Sequence, residues 1–220
     1  MITVAGIGPG ALAQQTLALQ DAVQHADILV GGARHLALFP DFAGEKKRLS
    51  ADIEHLLTWL ERQCQKNSQS KIVVLASGDP LFYGIGKRIA EYFTAEHSSV
   101  EKVQILSGIS AIQYLCSQIH LDMNDIYLTS SHGRKPDFDW LLAHSKIGMV
   151  TDKHIGPREI AAEIVARGQK RLMVIGENLS QDNQRITYLK PDITTPYADS
   201  DYAMNVVLIL DNSLTDGDDA

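Results

Sequence analysis

This sequence has few cysteines, no long apolar run and fewer basic than acidic side chains, and each shortage excludes something. Apolar stretches such as Val206 to Leu210 fall far short of the roughly 18 residues that a membrane-spanning helix needs, so no membrane span is expected. No basic segment leads into an apolar core at the N-terminus, because Met1 runs straight into Ile2-Thr3-Val4-Ala5. The expectation is therefore no export signal and a cytoplasmic location. Cys64 and Cys116 are the only cysteines; each sits in a helix-like apolar pattern without a CxxC partner, which reads as two reduced, structural thiols. A formal charge of −7 argues against non-specific nucleic-acid binding, which depends on a basic surface. Part of that charge belongs to an acidic tail at 213–220, expected to stay disordered. His25, His55, His97, His120 and His144 are scattered without metal-ligand spacing, so no bound metal is expected.

What is present is a regular alternation of short apolar runs and amphipathic segments. ITVAGIG, DILVGG and KIVVLAS read as strands, separated by helical patterns at Thr16 to His25 and Asp52 to Gln65. Within the second helix Ile53, Leu56, Leu57, Leu60 and Cys64 recur every three or four residues and give one apolar face. A helix over Tyr83 to Phe93, a strand at Val103 to Leu106 and a helix at Ser110 to Ile119 complete a first α/β domain. Its near-continuous apolar strands suit a parallel sheet covered on both faces. The polar stretch from His120 to Asp125 is the expected boundary, giving domains at 1–122 and 123–212. In the second domain, strands IYLTSS, Ile147 to Thr151 and Arg171 to Ile175 flank helices at Phe138 to His144 and Pro157 to Arg167. RITYL and AMNVVLIL follow with no long helix after them, so this half reads as a mixed sheet. The fold class is α/β in two domains.

Five turns rich in glycine stand at the ends of these strands: GIGPGA, SGDPLFYG, SGISA, TDKHIGP and GENLS. Ligands of open α/β sheets bind beyond the carboxyl ends of strands, and glycine lets a ligand approach the main chain there. Gly6-x-Gly8-x-x-Ala11 fits a relaxed dinucleotide fingerprint, but Pro9 interrupts it and no acidic residue follows the second strand, which exits through Gly31-Gly32. A nicotinamide cofactor is therefore rejected. No phosphate-gripping GxxxxGK run occurs, and GISA does not form the elbow of a serine hydrolase. Asp79-Pro80 has two readings: a ligand turn, or a cap for a helix beginning near Tyr83.

GIGPG, SGDPLFYGIG and SGISAIQYL, in that order and spacing, resemble the signatures of the tetrapyrrole methylases, which methylate precorrins and related macrocycles with S-adenosylmethionine. SGDPLFYG, the SSHGR run at Ser130 to Arg134 and GENLSQDNQRI at Gly176 to Ile186 resemble the branch that methylates C5 of cobalt-precorrin-7, or its metal-free counterpart, in cobalamin biosynthesis. The match reaches from the N-terminus to the acidic tail; it departs at Ser107, where the family commonly has proline. The resemblance implies an active site in the cleft between two domains. It places Pro9, Ser77, Gly78, Asp79, Phe82, Ser110, Ala111 and Thr151 against the cofactor, largely through the main chain. It also implies a homodimer, and a separate polypeptide for C15 methylation with which this chain makes transient contact. No catalytic base is identified. Methylation at another macrocycle position and a non-catalytic corrinoid-binding subunit remain as alternatives.

A macrocycle rimmed with carboxylates needs local positive charge. Arg34 and His35 after Gly31-Gly32, Lys46 to Arg48 in the next loop, and His132, Arg134 and Lys135 after IYLTSS are the candidates. His132 and Arg134, separated by one glycine at a strand exit, are the pair expected to bind substrate. Glu177-Asn178 either touches the cofactor or caps a loop.

Overall fold

Alternation along a single strand explains the first sheet. In Ile72–Ala76, the side chains of Ile72, Val74 and Ala76 enter one apolar cluster and those of Val73 and Leu75 another, so the strand is buried on both faces. The computed structural model describes residues 1–50, 52–94, 103–193 and 202–211; the expected acidic tail at 213–220 lies outside them. The chain divides into two compact units, Met1–Ser110 and Ala111–Ala220.

The first unit runs β1 (Ile2–Gly6), α1 (Leu17–Gln24), β2 (Ile28–Gly31), α2 (Ala33–Ala37), β3 (Glu45–Arg48), α3 (Ile53–Lys66), β4 (Ile72–Ala76), α4 (Gly86–Thr94) and β5 (Val103–Leu106). All five strands are parallel, in the order β3-β2-β4-β1-β5. Helices α3 and α4 supply Leu56, Leu57, Leu60, Cys64, Ile89 and Phe93 to one face, and α1 supplies Leu19 and Val23 to the other. Each such fully buried aliphatic side chain contributes roughly 1.5–3 kcal/mol. Thr16 caps α1 by accepting the Leu19 N–H, and Asp52 caps α3 by accepting that of His55.

Two expectations change here. Lys46 to Arg48, read as loop, form an edge strand: among the described residues β3 pairs only with β2, and its exposed charges oppose further pairing, a signal that apolar periodicity does not carry. Helix α4 begins at Gly86, not near Tyr83, because Tyr83 adopts φ 53° and the Gly86 N–H returns to the Pro80 carbonyl.

The second unit runs α5 (Ala111–Gln118), β6 (Tyr127–Ser130), α6 (Phe138–Leu141), β7 (Lys146–Val150), α7 (Pro157–Ala166), β8 (Arg171–Glu177), β9 (Arg185–Leu189) and β10 (Asn205–Asp211). The sheet order is β6-β7-β10-β8-β9; β6 and β7 are parallel and the other pairs antiparallel, so the expected mixed sheet is observed. Helices α6 and α7 cover one face, joining Phe138, Leu141, Ile160 and Ile164 to Ile147, Met149, Met173, Ile175, Val207 and Ile209. Helix α5 packs on this sheet at two glycines, Gly148 against Ile112 and Gly176 against Leu115, where an added Cβ would fall within about 3 Å of the helix side chain. Close packing of α5 here explains why the division falls ahead of it, leaving the polar stretch 120–125 inside the second unit. Cys64 and Cys116 are free and buried, and burial raises the Cys116 thiol to about 11. No helix among the described residues is long and apolar enough to cross a membrane.

Candidate functional site

Because the first sheet is parallel, the exits of β1, β2, β4 and β5 share one edge, with Gly6 opposite Ala76 and Ala5 opposite Leu106. Three glycine turns meet there backbone to backbone. Gly8 and Gly78 form an isolated antiparallel bridge, N–H to carbonyl at 3.3 and 3.0 Å, with both residues at positive φ (75° and 59°). A Cβ on Gly6 would stand 2.3 Å from the Gly78 carbonyl oxygen, and one on Gly108 only 2.1 Å from the same atom. No side chain fits at either position, so the residue type is fixed by the contact. Asp79 locks the third turn in place: its Oδ2 accepts the Gly108 N–H at 3.1 Å and its Oδ1 the Leu81 N–H at 2.8 Å. With α4 starting at Gly86, Asp79 is not that helix's cap; it ties the β4 turn to the β5 turn. Pro9 is buried, and Phe82 packs edge-on against Tyr83 with ring centroids 5.1 Å apart.

The β2 turn reaches the same edge through side chains. Arg34 Nη2 donates to Ser77 Oγ at 3.1 Å, and His35 Nε2 lies 2.9 Å from that oxygen. Burial and the Arg34 charge lower the His35 pKa, against an opposing effect of the Leu75 carbonyl. Arg34 and His35, expected from the sequence as carboxylate ligands, bond a hydroxyl 43 and 42 residues away, a link with no local sequence signal.

In the second unit the exits of β6, β7 and β8 and the entries of β9 and β10 share one edge, with Ser130 opposite Val150 and Glu177 opposite both Asn205 and Arg185. The Ser131 N–H bonds the Val150 carbonyl and its hydroxyl the Ile155 carbonyl at 2.8 Å. Beyond it His132, Gly133 and Arg134 are exposed, with Arg134 Nε donating to the Ser130 carbonyl at 3.0 Å. Asp152 fastens this loop, taking N–H bonds from Gly133, His154 and Ile155 at 2.8–3.0 Å. Those bonds, led by the one from Gly133, hold its carboxyl down at about 2. Thr151 lies beside it, its hydroxyl 2.7 and 2.8 Å from the carbonyl and Oδ1 of Asn205. The Glu177 carboxylate, 2% exposed, accepts two bonds from Arg185 at 2.6 and 2.9 Å and one from the Ala203 N–H. Glu177 thus ties strands and a loop together, and Asn178 bonds the Met204 carbonyl through its N–H.

The predicted residues fall into two groups. Pro9, Ser77, Gly78, Asp79 and Phe82 gather at the first unit's edge, while Thr151, His132 and Arg134 gather at the second's. Ser110, buried, closes the first unit and Ala111 opens α5. The first edge fits S-adenosylmethionine by its chemistry: glycine backbones stripped of side-chain bulk, the Ser77 hydroxyl, and an Asp79 carboxylate using two of about four acceptor positions, with others left for an ammonium. The Gln15 carboxamide, buried without a partner among the described residues, follows a loop whose Gln14 carbonyl lies against Gly8. A hollow of about 250 Å³ on α3, lined by Asp52, Glu54, His55, Thr58, Trp59 and Arg62, includes none of these residues. Among the described residues no cluster of three or more His, Cys, Asp or Glu could hold a metal ion.

Residues 1–190 of this two-sheet chain match one family over most of its length: the chain belongs to the tetrapyrrole (corrin/porphyrin) methylases. It is 53% identical to the cobalt-precorrin-7 C(5)-methyltransferase of Salmonella typhimurium over 96% of this chain and 99% of that one. It is 30% identical to the precorrin-6Y C(5,15)-methyltransferase [decarboxylating] of a Sinorhizobium species, over 84% of this chain and 44% of that longer protein. In fold it is similar to the uroporphyrin-III C-methyltransferase of Thermus thermophilus solved with S-adenosylhomocysteine, with a TM-score of 0.77 and 18% identity over 97% of this chain and 99% of that one.

Proposed function

We propose that this chain transfers a methyl group from S-adenosylmethionine to C5 of cobalt-precorrin-7, or of its metal-free equivalent, in cobalamin biosynthesis. The observation that carries the reading is the end-to-end likeness to the Salmonella typhimurium relative, which spans both the cofactor turns and the second unit's edge. Pro9, Ser77, Gly78, Asp79, Phe82, Ser110, Ala111 and Thr151 hold the methyl donor. Thr151 does so through its main chain and methyl, its hydroxyl being engaged by Asn205. His132 and Arg134 take substrate carboxylates, and the Asp152 bonds set their loop in advance.

When bound, the donor supplies an electrophilic methyl on a positive sulfur. The protein's own task is alignment and exclusion of water, which together account for several kcal/mol of barrier without a covalent protein intermediate. A homodimer in the cytoplasm belongs to the same reading, and sedimentation velocity tests the dimer. The decisive experiment incubates purified chain with cobalt-precorrin-7 and S-adenosylmethionine and locates the new methyl by mass spectrometry and NMR. The expected product carries one methyl at C5. A methyl elsewhere on the ring sinks the regiochemistry, and no calorimetric binding of S-adenosylhomocysteine at high micromolar concentration sinks the methyltransferase.

A further inference from the structure

Replacing a meso hydrogen by methyl releases a proton, and no acceptor has yet been assigned. The group formed by Arg34, His35 and Ser77 supplies one. Arg34 Nη2 donates to Ser77 Oγ and stands 3.4 Å from His35 Nε2, itself 2.9 Å from the same hydroxyl. A guanidinium has only donors, so the Nε2 facing it carries a lone pair. The imidazole proton then sits on the buried Nδ1. Ser77 accepts from Arg34 and directs its own proton to Nε2. The hydroxyl belongs to an exposed residue and the imidazole to a partly buried one, so an arriving substrate meets the hydroxyl first.

We propose that Ser77 and His35 are the proton-accepting station of the methyl transfer, the Ser77 oxygen receiving the proton that the macrocycle carbon releases while Nε2 receives the hydroxyl's own. The inference rests on the methyltransferase reading above. Electrons balance without another reactant. The carbon–sulfur bond breaks with its pair left on sulfur, the ring carbon makes the new carbon–carbon bond, and the carbon–hydrogen pair returns to the conjugated ring. Arg34 is the charged group acting on the imidazole, and with burial it lowers the pKa, keeping His35 neutral and able to accept near pH 7. Ser77 is the relay and His35 a residue acting through it.

The test pairs His35→Gln with Ser77→Ala and Ser77→Thr in the full chain, at saturating cofactor. His35→Gln is expected to lower kcat roughly a hundredfold with little change in KM, and to abolish the fall in kcat on the acid side of the pH profile. Ser77→Ala should lose a similar factor, and Ser77→Thr, which restores the hydroxyl, should recover most of it. Independently of turnover, nitrogen-15 NMR of His35 should show the Nδ1-protonated tautomer and a pKa below that of an ordinary histidine. Wild-type kcat with an intact acid limb in His35→Gln overturns this proposal alone, and an imidazole charged at pH 7 or protonated at Nε2 does so even without substrate. A wild type that binds no S-adenosylhomocysteine overturns both this and the methyltransferase reading.

Discussion

Each unit gathers its candidate residues at the edge of its own sheet where strands exit, but the two edges are held in different ways. The first unit's edge is main chain against main chain: Gly8 bridges Gly78, and a methyl group on Gly6 or Gly108 would run into the Gly78 carbonyl oxygen. In the second unit carboxylates do the holding: Asp152 gathers three amides and Glu177 joins Arg185 to the Ala203 N–H. A surface of exposed amides and carbonyls must keep side chains away, whereas a loop that displays His132 and Arg134 needs only to be tethered.

The contrast is sharpest between two glycines. Gly108→Ala drives a Cβ into the Gly78 carbonyl oxygen, a rigid main-chain atom 2.1 Å away, and is expected to cost at least about 3 kcal/mol and to weaken cofactor binding with it. Gly133→Ala in the second unit meets nothing within 4 Å and bears only the strain of φ 70°, about 1 kcal/mol. Urea denaturation of the two variants measures both figures. Equal costs would break the distinction between a packed edge and a tethered one.

Next in size is Arg185→Met. Glu177 is 2% exposed and would keep only the Ala203 N–H, leaving a buried carboxylate short of its counter-charge. The expected outcome is a clear loss of stability at neutral pH, below that of breaking a fully buried pair because the Arg185 side chain is 57% exposed. A loss confined to a few tenths of a kcal/mol in the same denaturation assay would mean that the second edge is not held by its carboxylates.

This difference also decides what could be read from the sequence. Strands such as Ile72–Ala76 declare themselves by composition, and GIGPG, SGDP and SGIS declare themselves because the close approach leaves glycine no substitute. β3 stayed hidden, since an edge strand of Glu-Lys-Lys-Arg has the composition of a loop. Partnerships across many residues stayed hidden too: Ser77 with Arg34 and His35, Asp79 with Gly108, and Glu177 with Ala203 join groups 26 to 43 positions apart. The sequence exposes a requirement that falls on one position; it does not expose one that falls on a pair.

The smallest effect tests the tether of the second edge by pH. The unfolded chain binds a proton at Asp152 near the ordinary value of 3.8, while the folded chain binds it only at about 2, because three amides point at the carboxylate. Between those values the unfolded state holds more protons, so stability from this group is complete above the window and drains away as the pH falls through it. Asp152→Asn keeps a carbonyl acceptor but cannot titrate, and its stability should therefore fall less steeply than the wild type's between pH 4 and pH 2. Asp152 is partly exposed, so the difference in slope is small, under about 1 kcal/mol across the window. Amide exchange gives the local counterpart. At neutral pH the Gly133 N–H, deprived of a charged acceptor, should exchange faster in the variant, while the Gly108 N–H on Asp79 is unchanged. Parallel acid limbs with unaltered exchange at Gly133 would assign the holding of this loop to Ser131 and its bonds to Val150 and Ile155.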